Sequence, residues 1–242
     1  MATAEHSPDG RGGQLLFELP GAGHALFTTR ADGNLSTGNG DELEHGMRRR
    51  EQLCERLGLN WLCSSRQAHG SDVTRVDELS GAGGQALALD ADGHATAVTG
   101  AGMMVMAADC LPVALGCAGA VATVHAGWRG LSAGVLEQGV RALRELAGET
   151  GSIGAIIGPG AGVCCYEVGR EVYEALDAGG QLAPEQARGH LDLRAIAYAR
   201  LLAAGVADVR HVDACTICDP RFFSHRREGD RAGRHAGIAW LS

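Results

Sequence analysis

Cys110 and His125 close the two ends of one apolar run. From Ala108 to Gly130 the chain reads ADCLPVALGCAGAVATVHAGWRG. Its centre, 111–124, is rich in small and β-branched residues, is too short to cross a bilayer and is bounded by polar residues. It therefore predicts two buried strands joined by a turn at 116–119. The arms 111–115 and 120–124 are equal in length, so a hairpin folded there returns Cys110 and His125 to one edge and sets a thiol beside an imidazole. His69, in the loop Gln67-Ala68-His69-Gly70, offers a third donor. Two histidines and a cysteine from three loops suit a three-ligand metal site with one open position, the arrangement of catalytic zinc. Copper(II) competes for the same nitrogen and sulfur donors. Without metal, Cys110 activated by His125 is a nucleophile and base pair. Taken singly, each residue also has a plain reading: Cys110 as a small buried hydrophobe, His69 and His125 as solvated loop residues. Asp109 is a candidate for proton transfer or for orienting a ligand histidine.

These loops need elements to position them. Strands are expected at 15–19, 24–29, 72–79, 94–99, 103–107, 152–157, 209–212 and 238–241. Helices are expected at 44–57, 131–146, 168–176 and 191–204, the first ending at Gly58. Leu131, Val135, Leu136, Val140 and Leu143 recur at helical spacing, so HAGWRG lies on a loop running from a buried strand into a helix. Amides of 127–130 at that helix start, with Arg129, could hold an anion. Trp128 packs or walls a flat ring. Arg50 on the first helix is a substrate contact or a solvent-facing cation, and Asp92 reads as a turn aspartate. Cys164 and Cys165 read as packing residues, with Tyr166 a pocket candidate. Cys215 and Cys218 form a C-x-x-C without a second pair, which favours a structural or pocket-lining role over zinc or redox chemistry. Residues 1–13 are expected to be frayed and 14–242 to form a single domain.

The 242 residues suffice for a substantial core. Apolar residues at 45% and charged residues at 21% fit a soluble globular chain. Aromatics make up only 4%, so the core must be built from Ala, Val, Leu and Ile. A net charge of −8 argues against general nucleic-acid binding, which needs clustered cations. Local exceptions are Arg48-Arg49-Arg50 and the tail 221–234, where Arg226 and Arg227 are anion-binding candidates. Eight cysteines without an apolar leader in residues 1–13 point to a reduced, cytoplasmic setting. No run reaches the roughly 20 apolar residues of a membrane span.

QAHG (67–70), ADC (108–110), HAGWRG (125–130), IGPG (157–160), CCYEVG (164–169) and CTICDPRFFSHRREG (215–229), in that order, resemble the YfiH-like family. It is known both as the laccase-domain or polyphenol oxidoreductase family and as a family of bacterial purine nucleoside phosphorylases. The resemblance spans about Phe27 to Trp240. It implies an α+β fold, a layered sandwich with mixed β-sheets packed between helices, also likened to a deamidating toxin domain. It implies a zinc enzyme that splits adenosine, inosine and methylthioadenosine with phosphate and deaminates adenosine. His69, Cys110 and His125 would bind the metal, Asp109 would support catalysis, and Arg129, Arg50, Tyr166, Arg226 and Arg227 would contact substrate. The expected partners are a purine nucleoside and phosphate, with no nucleic acid or membrane, and the expected state is a monomer. A copper polyphenol oxidase, a metal-free Cys–His hydrolase and a non-enzymatic nucleotide-binding or partner-binding protein are the rivals. None of the 10 histidines forms the H-x-H pairs of a four-copper oxidase. The chain departs from the family at DGNLSTGNGDELEHG (32–46), where relatives carry a longer GGVS…LNLG segment.

Overall fold

The computed structural model describes residues 15–38, 41–77, 86–148, 151–177 and 189–242. The expected frayed segment 1–13 lies outside them. Strands β1 (Leu15–Leu19), β2 (Gly23–Phe27), β3 (Trp61–Arg66), β5 (Ala86–Asp90), β7 (Ala101–Ala107) and β12 (His235–Leu241) form one six-stranded sheet, in the order β1-β2-β12-β7-β3-β5. The second contains β4 (Val73–Arg75), β6 (Gly93–Thr96), β8 (Leu111–Cys117), β9 (Ala120–Ala126), β10 (Gly154–Ile157) and β11 (Asp208–His211), in the order β11-β10-β8-β9-β6-β4. Both sheets mix parallel and antiparallel pairs; β3 runs parallel to β7, and β8 antiparallel to β9.

The sheets pack face to face through Ala25, Phe27, Ala239 and Leu241 on one side and Ala114, Val121 and Ile156 on the other. Helix α1 (Asp41–Leu57) covers the outer face of the first sheet through Leu53 and Cys54. Helices α3 (Val135–Ala147) and α4 (Leu193–Ala203) cover the second. Strands sandwiched in this way are apolar on both faces, and every residue of β8, β9 and β12 is buried. With few aromatics, close approach rests on small residues. A Cβ at Gly158 would lie 2.4 Å from the ring of Phe27, the bulky side chain wedged between the sheets. The fold is therefore mixed α+β with helices outside two mixed sheets, as expected.

Three local expectations change. The hairpin turn is tighter than 116–119, because β8 runs to Cys117 and β9 begins at Ala120. The helix expected at 131–146 is two helices, α2 (Trp128–Ala133) and α3, separated by Gly134 in the left-handed conformation at φ 87°. The strand expected at 72–79 is the short β4, with 78–79 outside the described residues. Among the described residues no helix is long and apolar enough to cross a membrane.

Candidate active site

The site forms where strand ends from both sheets meet. The parallel neighbours β3 and β7 end at Arg66 and Ala107, and β9 ends at Ala126 opposite Leu111, the start of β8. Residues 108–110 carry the chain from one sheet to the other. Asp109 absorbs the bend at φ 97°, a region costly for a residue with a Cβ. The hairpin register pairs Pro112 with His125, so Cys110, two residues earlier and on the same face, meets His125 diagonally, and the loop after β3 brings in His69. One donor atom from each of His69, Cys110 and His125 lies within 4.8 Å of the others. The two imidazoles meet edge to face, with centroids 4.8 Å apart. Gly127 leaves room for the cluster, since a Cβ there would fall 2.8 Å from the Cys110 sulfur.

The carboxylate that organises these donors is Asp92, which sequence reasoning assigned to a turn. Pairing of Gly93 with Val124 in the β6–β9 ladder sets Asp92 opposite His125. Its Oδ1 accepts from His125 Nδ1 at 2.8 Å and from the His69 amide at 3.0 Å. Its Oδ2 accepts from the amides of Gly70 at 2.6 Å and Ala68 at 3.1 Å. One buried carboxylate thus aims His125 and holds the His69 loop, in which His69 itself sits at φ 60°. With Nδ1 committed to Asp92, His125 presents Nε2 to the cavity, the arrangement that fixes a metal-binding imidazole. Burial opposes charge on Asp92, but the bonds from His125, Gly70 and Ala68 outweigh it and hold the carboxyl below its usual range. Asp109, expected to orient a histidine, is engaged elsewhere: Thr216 Oγ1 donates to its Oδ1 and the Arg226 amide to its Oδ2, both at 2.7 Å.

Cys110 and His125 form a thiolate–imidazolium pair. Burial alone would raise the thiol, yet His125 and then His69 bring it down to about 6. Burial likewise disfavours the imidazolium, but the Cys110 charge and the Asp92 hydrogen bond lift His125 to about 9. The thiolate's contribution to stability is lost as pH falls through 6, and the imidazolium's is lost as pH rises through 9, so the pair is intact between. In metal-free protein, iodoacetamide should therefore modify Cys110 with a half-maximal rate near pH 6. Cys63, pushed up to about 11 chiefly by burial, should stay unmodified. Peptide mass spectrometry of alkylation against pH measures both; a Cys110 midpoint near the ordinary thiol value of 9.0 would contradict the pairing.

The donors open into a cavity of about 750 Å³. Among the described residues its wall includes Arg50, Arg66, Arg129, Arg226 and Arg234 against one carboxylate, Asp109, with Arg66 also paired to Asp90 behind the wall. Arg50 is neither solvent-facing nor ion-paired with its observed partners. It is 4% exposed and donates to the Leu35 carbonyl, Ser64 Oγ and Met106 Sδ. Burial lowers its pKa to about 10, which leaves it charged near neutral pH. Arg129 lies over the Trp128 ring at 4.2 Å, and Arg226 over the Tyr166 ring at 4.9 Å, so each aromatic candidate carries a cation. Arg227, expected beside substrate, is not part of the cavity wall. Its guanidinium is occupied by the carbonyls of Thr216, Ile217 and Phe222 and by the Glu228 carboxylate. Ser36, Thr37 and Gly38 of the divergent loop do line the cavity, as do Arg66 and Arg234, which sequence reasoning did not single out. Gln67 anchors the His69 loop to β7, donating to the Met106 carbonyl and accepting from its amide, both at 2.7 Å.

Known proteins resemble this chain in sequence and fold. A purine nucleoside phosphorylase of Xylella fastidiosa is 42% identical over 241 residues, covering 93% of this chain and 90% of that protein. The crystal structure of Neisseria meningitidis protein NMB0706, of family DUF152, superposes with a TM-score of 0.76 at 31% identity, covering 95% of this chain and 99% of the other. That of a hypothetical protein YfiH from Bacillus licheniformis gives 0.76 at 25% identity, covering 91% and 93%. The multi-copper polyphenol oxidoreductase laccase family matches residues 22–242. With every strand but β1, the strand-end site and nearly the whole chain inside that match, the protein belongs to this laccase-like family.

Proposed function

We propose that this chain is a zinc-dependent purine nucleoside phosphorylase that also deaminates adenosine. The observation that carries the reading is the cavity: a wall of arginines in a chain of net charge −8, beside a nitrogen–sulfur–nitrogen donor set. It is supported by the name of the Xylella relative. Phosphate is a substrate such a wall would select, and the volume suits a nucleoside. In phosphorolysis a phosphate oxygen bonds to ribose C1′ as the bond from C1′ to the purine nitrogen breaks. The electron pair leaves with the base, which takes up a proton. Arg50, Arg129 and Arg226 orient and neutralise the attacking phosphate. Trp128 and Tyr166 wall the purine, and Asp109, pinned by Thr216 and the Arg226 amide, offsets positive charge developing on the sugar.

His69, Cys110 and His125 fit a metal by donor chemistry. The thiol is already a thiolate near neutral pH, and Asp92 leaves one His125 nitrogen free. When bound there, zinc supplies a Lewis acid that polarises substrate atoms and brings the pKa of water towards neutrality. Copper suits the same donors, but a four-copper oxidase needs more histidines in one place. Among the described residues, each of the two candidate metal clusters contains at most two.

Incubating zinc-loaded protein with adenosine, with and without phosphate, tests the proposal. Adenine and ribose 1-phosphate should form only with phosphate, and inosine or hypoxanthine should report deamination. Absence of phosphate-dependent adenine and hypoxanthine, from adenosine and from inosine alike, would reject the phosphorylase.

A further inference from the structure

Cys164, Cys165, Cys215 and Cys218 converge at a place apart from the His69 donor set. A parallel bridge between Gly160 and Cys215 brings the two segments together and supplies the second cysteine pair that the C-x-x-C lacks in sequence. All four sulfurs lie within 4.8 Å of one another, with Cys218 3.4 Å from Cys164 and 2.8 Å from Cys165. A tetrahedral ion with metal–sulfur bonds of about 2.3 Å sets its sulfurs roughly 3.8 Å apart, within this spread. Packing does not account for the convergence, because Cys164 and Cys218 are exposed. The turn also offers amide donors to one of the four sulfurs. Cys215 Sγ accepts the Gly162 amide at 3.2 Å and the amides of Ile217 and Cys218, two and three residues on. The Arg227 guanidinium grips the Thr216 and Ile217 carbonyls of the same turn at 2.7 and 3.0 Å.

We propose that Cys164, Cys165, Cys215 and Cys218 form a second metal site, a closed four-thiolate centre for one divalent ion of the zinc class. Binding displaces the thiol protons to solvent and leaves the ion without an open position, so the site is structural rather than catalytic. Its position gives it a purpose. Cys165 precedes Tyr166, which walls the cavity, and Cys215 precedes Thr216, which pins Asp109. One ion would tie both segments of the wall together. It would be present whether or not the chain turns over nucleosides.

The test is titration of the reduced, metal-free full-length protein with cobalt(II), read by absorption and by metal content after dialysis. The wild type should retain two equivalents, one of them with the intense thiolate-to-cobalt charge transfer of a four-sulfur tetrahedral site. The His69→Ala/Cys110→Ala/His125→Ala variant should keep that equivalent, and Cys215→Ser/Cys218→Ser should lose it alone. Circular dichroism identifies any variant that does not fold, and the wild-type spectrum then decides. A wild type without the four-sulfur signature overturns the proposal, as does a Cys165–Cys218 disulfide mapped in protein purified under reductant. Loss of phosphorolysis with this signature intact would instead count against the catalytic reading.

Discussion

Replacing Cys110 with alanine should lower kcat/KM for phosphorolysis by roughly a thousandfold and remove the metal bound by the His69 donor set. The thiolate is the one anionic member of that set, and its charge is already stabilised by His125 and His69 before any metal arrives. A metal's electrostatic contribution of several kcal/mol corresponds to about three powers of ten in rate. The alanine side chain fits the space, because it is smaller than the cysteine it replaces. Below about pH 6, where the thiolate's contribution to stability is already lost, the melting temperature of the metal-free variant should stay close to that of metal-free wild type. Steady-state kinetics with adenosine and phosphate, together with metal analysis, decide the matter. Full activity and full metal content in the variant would remove Cys110 from the site.

Replacing Asp92 with alanine or asparagine should weaken metal binding by about 10- to 100-fold although Asp92 is not one of the donors. Alanine leaves the amides of Ala68, His69 and Gly70 without their acceptor and His125 Nδ1 without its partner. Asparagine does no better. Both oxygens of the native carboxylate accept hydrogen bonds, so an NH₂ group in either position faces a donor. The variant should also lose stability by about 3–5 kcal/mol, since buried His125 and the three loop amides lose one charged acceptor. Competition with a chromophoric chelator gives the affinity, and urea denaturation of the metal-free proteins gives the stability. The rise of His125 to about 9 partly rests on Asp92, so Cys110 alkylation in the variant should move to higher pH. Unchanged affinity and an unchanged alkylation profile would show that the loop and imidazole are held by other contacts.

Local sequence determines much of this protein. The apolar run with a chemical group at each end dictates a hairpin that returns Cys110 and His125 to one edge, although the β8–β9 register is two residues off the equal-arm pairing and sets Pro112, not Cys110, opposite His125. Scarce aromatics and abundant small residues require thin, closely packed layers, seen where Gly158 meets Phe27. What remained hidden depends on pairings between distant segments. Asp92 looks like any turn aspartate until the β6–β9 ladder sets it against His125 and the β4–β6 pairing brings the His69 loop alongside. Arg50 sits on a polar helix, and only docking of α1 on the first sheet buries its guanidinium against Ser64 and Met106. Arg226 and Arg227 are adjacent and chemically equivalent in sequence; the fold aims one at Tyr166 and consumes the other in backbone carbonyls. Side-chain chemistry and short-range periodicity are encoded within a few residues. Burial, register and the direction of a charged side chain are set by contacts made across the whole chain, and those existed only once the two sheets had closed on each other.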